Sequence, residues 1–186
     1  MPIGSLKDLY FEELADLYDA ETQGIRTLPR LAEAARASEL RDALIKHSEE
    51  SRRHLSRLDL IFTHWSAPRP SKPCAGLAGI IQEVDERLSQ ETTDDMRDDA
   101  IIGVAQRIEH YEIAAYGCAR TYARRLNRFD EVRLLQETLD EEHRTDRRLS
   151  GIAAGHLDED ANDRALVMPG TEWEGPLPPD GDKLYG

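Results

Sequence analysis

From Ser5 to about His156 the apolar residues return every three or four positions and almost nowhere alternate. That period specifies helices and argues against a sheet. Four of the apolar stripes are interrupted near their middle by a glutamate. Glu21 lies between Leu17 and Ile25, and Glu50 shares a face with Ala43, Leu58 and Ile61. Glu112 lies between Ile108 and Ala115, and Glu142 shares a face with Leu135, Leu139 and Leu149. An unpaired carboxylate is expensive to desolvate, and four facing one another would repel strongly. A chain that places them there calls for a cation, and carboxylate-lined four-helix bundles hold two iron or manganese ions in this way.

The stripes divide into five segments. The first helix is expected from about Leu6 to Arg36, with a kink or local break at Pro29. The second runs from Glu39 to about Trp65 with Ser38 as N-cap. Pro68, Pro70 and Pro73 end it. A shorter helix spans Cys74 to Gln90, and Thr93 or Asp94 caps a fourth that reaches about Asn127. The fifth runs from about Phe129 to His156. The predicted architecture is all-α: an antiparallel four-helix bundle over 1–157 whose single long crossover contains the short helix. Residues 158–186, acidic and rich in Pro and Gly, read as an extended tail, with Trp173 and Tyr185 as docking candidates.

Register brings the glutamates to one level. Glu50 follows Glu21 by 29 residues and Glu142 follows Glu112 by 30, with turns expected near Ala37 and Arg128. At about 1.5 Å per residue, each glutamate stands roughly 20–24 Å from its turn. More metal-ligand types cluster nearby: His47 three residues before Glu50, His54 four after it, Glu109 three before Glu112, and Asp146 four after Glu142. The candidate ligands are therefore Glu21, His47, Glu50, His54, Glu109, Glu112, Glu142 and Asp146. Carboxylates and imidazoles in this mixture suit iron, manganese or zinc, and carboxylates can bridge two ions. The segments His47–His54 and Leu139–Asp146 both carry Glu-Glu followed by a further ligand type, a faint sign of internal duplication.

The chain has 37 acidic and 24 basic residues among 186, a net charge of -13, which speaks against nucleic-acid phosphates as partners. No stretch reaches the roughly 20 apolar residues of a membrane span. Residues Met1–Leu6 lack the charged and apolar regions of a signal peptide, and Cys74 and Cys118 form no disulfide framework. A cytoplasmic location is the expectation. There is no glycine-rich phosphate loop and no Ser-His-Asp order.

Several segments resemble the YciE/YciF-like family of the ferritin-like superfamily. They are Leu17-Tyr-Asp-Ala-Glu21, His47-Ser-Glu-Glu50, Cys74–Glu83, Glu109-His-Tyr-Glu-Ile-Ala-Ala-Tyr-Gly117, and Glu137–Glu142 continuing to Asp146. The Glu109–Gly117 run is the most specific. The resemblance covers about Leu6 to Ala154 and implies a ferritin-like bundle, a homodimer and a link to bacterial stress responses. One departure matters: ferritin-like di-iron proteins usually place a histidine three residues after a glutamate, and Arg53 and Thr145 occupy those offsets here.

Plainer readings stand beside these. Glu12, Glu13, Glu49 and Glu141 are read as solvated helix faces. The four stripe glutamates could pair with Arg26, Arg53 or Arg120. His47 could be a core histidine bonded to a carboxylate, or support for a ligand. His110 and His143 are expected to be exposed, with His64 and His156 near helix ends. Tyr18, Tyr111, Tyr116 and Tyr122 are expected to fill the core, and both cysteines to be buried and inert. Two functions follow: a di-iron oxidoreductase that consumes oxygen or peroxide while oxidising Fe(II), or a non-catalytic dimeric bundle without metal. An iron-storage cage is a weaker third.

Overall fold

The computed structural model describes residues 4–68, 72–90 and 93–155. These form α1 (Leu6–Ala34), α2 (Ser38–His64), α3 (Ala75–Ser89), α4 (Asp94–Arg125) and α5 (Phe129–Ala153). No strand occurs among the described residues. The expected tail at 158–186, with Trp173 and Tyr185, lies outside them, as do the boundary at 157 and His156.

Several helix ends have an identifiable cause. At the start of α1 the Ser5 hydroxyl accepts the Asp8 amide at 3.1 Å and donates to the Asp8 carboxylate at 2.8 Å. Ser38 is not the N-cap of α2. Ala37 takes that position, with no capping side chain of its own. The cap comes from across the bundle: Asp98 of α4 accepts the Arg36 and Ala37 amides at 2.8 and 2.7 Å. Two helices end on residues with left-handed backbones, Ser66 at φ 50° and Asn127 at φ 58°. Each turn closes with a pair of reversed bonds, Ala67 N–H to Phe62 O and Arg128 N–H to Ala123 O among them. α1 is continuous through Pro29, so the break expected there does not occur. The proline faces solvent, where water can take the carbonyl that its ring leaves unbonded.

Helices α1 and α2 form one hairpin and α4 and α5 the other. The hairpins dock through α1 on α4 and α2 on α5, while α3, inside the crossover, lies against α4 and α1. This is the antiparallel ferritin-like arrangement. Its apolar core has two parts. One contains Leu28, Leu31, Leu40, Leu44, Ile101, Ile108 and Leu149, covered by Leu77 and Val84 of α3. The other contains Tyr10, Leu14, Leu17, Leu58, Ile61, Ala119, Leu135 and Leu139. On all four long helices the stretch between the two parts carries buried acids or histidines. A polar layer therefore crosses the bundle at mid-height, as the register of the glutamates requires.

The crossover is pinned to the same region. Cys74 caps α3, its Sγ accepting the Leu77 amide at 3.3 Å. The Tyr111 hydroxyl donates to Asp16 and lies 3.0 Å from Cys74 Sγ. Burial pushes the Cys74 thiol up from its ordinary value, which suits an inert packing role. Cys118, expected to be buried, is exposed. Gly76 is required here because a Cβ at that position would stand 2.6 Å from the Tyr111 ring. Gly76→Ala is expected to push α3 from α4 and cost roughly 1–3 kcal/mol. An unchanged urea midpoint would show that the ring yields instead.

Candidate metal centre

The layer is built from one or two residues per long helix. α1 supplies Glu21, α2 supplies His47 and His54, α4 supplies Glu109 and Glu112, and α5 supplies Glu142. All six are at most 1% exposed. Their ligand atoms fall into two groups, each within 4.8 Å: His47, Glu109, Glu112 and Glu142 in one, Glu21, His54 and Glu142 in the other. Glu142 belongs to both. We call these positions A and B.

Position A lacks internal satisfaction. His47 Nε2 approaches Glu109 Oε1 at 3.1 Å and Glu112 Oε2 at 3.8 Å, and Nδ1 is 3.8 Å from Glu142 Oε2. None of these contacts has hydrogen-bond alignment, and both ring nitrogens are left without a partner. Among the described residues, ten buried side-chain atoms lack a hydrogen bond. Nine of them belong to Glu21, His47, Glu109, Glu112 and Glu142. Each such atom costs on the order of 1–3 kcal/mol, and whole domains are stable by only roughly 5–15 kcal/mol. A set of this size is what a bound cation, or protons retained on the acids, would satisfy.

Position B is held more firmly. The Tyr116 hydroxyl donates to Glu21 Oε1 at 2.6 Å, and His54 Nδ1 meets the same oxygen at 3.0 Å. His54 Nδ1 also lies 2.9 Å from Glu142 Oε1. The other ring nitrogen, Nε2, is bonded to Glu141 Oε2 at 2.8 Å. Arg57 grips Glu141 at 2.6 and 3.1 Å, Glu137 at 2.6 Å and the Thr138 hydroxyl at 3.1 Å. A carboxylate on the far nitrogen of a histidine fixes the ring and its tautomer, as around many metals.

The protonation pattern reflects this crowding. Burial opposes charge on His54, yet Glu21, Glu141 and Glu142 outweigh it and raise the ring to about 12. Burial likewise opposes charge on His47, and Glu112 and Glu142 overcome it, so this ring is also raised. Burial, then the charges of Glu21 and Glu142, push Glu112 up to about 8. Burial and the charges of Glu142 and Glu112 drive Glu109 well above the carboxylate range. Burial works against ionising Glu142, but His54 and His47 hold it below its ordinary value. Without another cation, imidazolium ions and retained protons must neutralise the layer. Two divalent ions would match the four carboxylates of Glu21, Glu109, Glu112 and Glu142 in charge and leave both histidines neutral. The donors are oxygen and imidazole nitrogen with no sulfur, a set that fits iron, manganese or zinc.

The structure brings together six of the eight residues singled out from the sequence. Glu50 is not among them: it sits at the rim, 3.3 Å from Arg53, with a side chain 11% exposed. The inner line of α2 runs through Leu40, His47, Ser51, His54 and Leu58, and three residues beyond His47 the helix has turned Glu50 about 60° aside. The salt-bridge reading holds for Glu50. Arg26 is exposed and Arg120 bonds Gln136, so neither reaches the layer. Asp146 also stays outside, bonded to His110 at 3.1 Å and Gln106 at 3.2 Å.

Sequence reasoning missed three groups. Glu141, read as solvated, is 9% exposed because it faces α2 between His54 and Arg57. Glu137 and Glu141, four residues apart on one face of α5, were the available signal. Tyr116 packs as expected but also reaches Glu21. Glu131, 1% exposed, has no part in the layer; it anchors the far end of the bundle by accepting from Tyr10 at 2.9 Å, Trp65 at 3.0 Å and Arg128 at 2.7 Å.

An antiparallel four-helix bundle crossed by a layer of buried carboxylates and imidazoles defines the class: a ferritin-like helical protein with a candidate metal centre. The family described as a domain of unknown function, DUF892, matches residues 5–162, and the chain belongs to it. It is 34% identical over 166 residues to Protein YciF of Escherichia coli strain K12, spanning 89% of this chain and all of that one. The crystal structure of that E. coli stress protein matches with a TM-score of 0.80 over 82% of this chain and 97% of its own. YcfI from Rhodopseudomonas palustris matches at 0.77, with 34% identity over 80% and 94% of the two chains. The family resemblance read from Glu109–Gly117 and its companion segments is borne out. No helix among the described residues is long and apolar enough to cross a membrane.

Proposed function

We propose that the chain is a dinuclear metal protein, with iron as the resident ion at positions A and B, and that it oxidises Fe(II) at the expense of oxygen or peroxide. The observation that carries this is the sharing of Glu142 between two groups, the first of which leaves the ligand atoms of His47, Glu109 and Glu112 without hydrogen-bond partners. His47, Glu109 and Glu112 would hold one ion, Glu21 and His54 the other, with Glu142 common to both. Bound iron supplies one-electron chemistry that the side chains alone cannot. In the overall balance, two Fe(II) substrate ions lose one electron each, and peroxide takes both electrons with two protons to give two waters.

The chain's own contribution is positional. Tyr116 fixes Glu21, and Glu141 with Arg57 orients His54 so that Nδ1 faces the centre. The two apolar half-cores above and below the layer would keep bulk water from ions held there. The homodimer implied by the family resemblance belongs to the same proposal, and light scattering reports it.

Reconstitution with Fe(II) under anaerobic conditions, followed by metal analysis, tests the reading. Two ions per chain are expected. Fewer than one would leave the alternative, a bundle whose polar layer is neutralised by imidazolium and protons alone.

A further inference from the structure

The candidate ligands are sealed from solvent, so a cation must enter somewhere. We propose that it enters between α2 and α5, along Glu137 and Glu141, and that Arg57 is the stopper of that route. This rests on the metal-binding reading above and adds the route by which the ions arrive.

Exposure falls step by step along this line. The Glu137 side chain is 60% exposed, Arg57 13%, Glu141 11% and His54 0%. Every step is a direct contact: Arg57 to Glu137 at 2.6 Å, Arg57 to Glu141 at 2.6 Å, Glu141 to His54 at 2.8 Å. Beyond His54 lie Glu21 and Glu142, the other members of position B. The Thr138 hydroxyl, also bonded to Arg57, adds a neutral oxygen beside the two acids. A second guanidinium, Arg144, stands 4.0 Å from Glu141 but is more than half exposed.

The two other acids at the rim do not connect inward in this way. Glu50 is paired with Arg53, and Asp146 with His110 and Gln106, and neither hydrogen-bonds to a candidate ligand. Glu141 does, through His54. An incoming divalent cation can replace the guanidinium on Glu137 and Glu141 in two exchanges of like-charged partners, so no carboxylate is left bare on the way. Arg57 thus occupies, with its own positive charge, the place a cation would pass through.

The experiment is stopped-flow uptake of Co(II), followed by its visible absorption, with equilibrium stoichiometry measured separately. Arg57→Gln is expected to speed uptake about tenfold, the scale on which a focused charge alters association, while weakening equilibrium affinity because Arg57 also steadies His54 through Glu141. Glu137→Arg, a surface change that adds a second positive charge at the mouth, is expected to slow it by a similar factor. Asp146→Asn is expected to leave the rate unchanged. Wild-type uptake rates in Arg57→Gln and Glu137→Arg together, or slowing confined to Asp146→Asn, would overturn the route while leaving the metal centre intact. A wild-type protein that binds no Co(II) or Fe(II) at all would overturn both.

Discussion

Glu142→Gln is expected to remove metal binding from both positions at once. The substitution keeps the volume of the side chain and deletes the one carboxylate that positions A and B share. Residues that merely support a metal ligand typically contribute 10–100-fold to affinity, so loss of a shared ligand should weaken both sites by at least about 100-fold. Glu21→Gln should instead spare position A and leave about one ion per chain. Glu50→Gln should change neither affinity nor stoichiometry, since Glu50 is satisfied at the rim by Arg53. Titration calorimetry with Mn(II) separates the three. A Glu50 variant that lost metal as Glu142→Gln does would mean that the ligands are arranged differently.

The second large effect is an inverted pH dependence of stability in the metal-free protein. Glu112 is held at about 8 in the fold against an ordinary 4.5, and Glu109 is displaced the same way. The unfolded chain releases these protons first. Below about pH 4.5 both states hold them and the groups cost nothing; as pH rises toward 8 the folded state is progressively disfavoured. At ~1.4 kcal/mol per unit of displacement this amounts to several kcal/mol. His54, raised to about 12 from 6.5, acts in the same sense. Its stabilisation is complete below 6.5 and declines above it. Glu141 and Glu142 are displaced downward, so their contribution is present above about 4.5 and lost only in acid. Chelator-stripped protein should therefore be most stable near pH 5 and markedly weaker at pH 8. Metal binding needs deprotonated ligands and strengthens with pH, so the loaded protein should lose this trend. Urea midpoints for the stripped protein that are equal at pH 5 and 8 would contradict the burial of this many acids without a metal.

The fold was legible because a helical period leaves a strong trace. The stripes placed five helices within a few residues of their ends, and equal spacing from the turns placed Glu21, Glu112 and Glu142 at one height. Angle around the helix axis was harder to read. Glu50, His47 and His54 are all compatible with one broad apolar face of α2, and only the packing against α1 and α5 turns the histidines inward and Glu50 to the rim. Glu141 was misread for the complementary reason. It points away from the inner line of α5, which on an isolated helix means solvent, but here means the seam with α2 and Arg57. The Asp98 cap on the α1–α2 turn left no local signal at all, because the capping side chain lies 61 residues from the amide of Ala37.

The most direct measurement is an anomalous-scattering map from crystals loaded with iron. Two peaks are expected in the mid-height layer, one among His47, Glu109, Glu112 and Glu142, the other among Glu21, His54 and Glu142. A layer without peaks after loading, or iron bound only at Glu50 or Asp146, would contradict that arrangement.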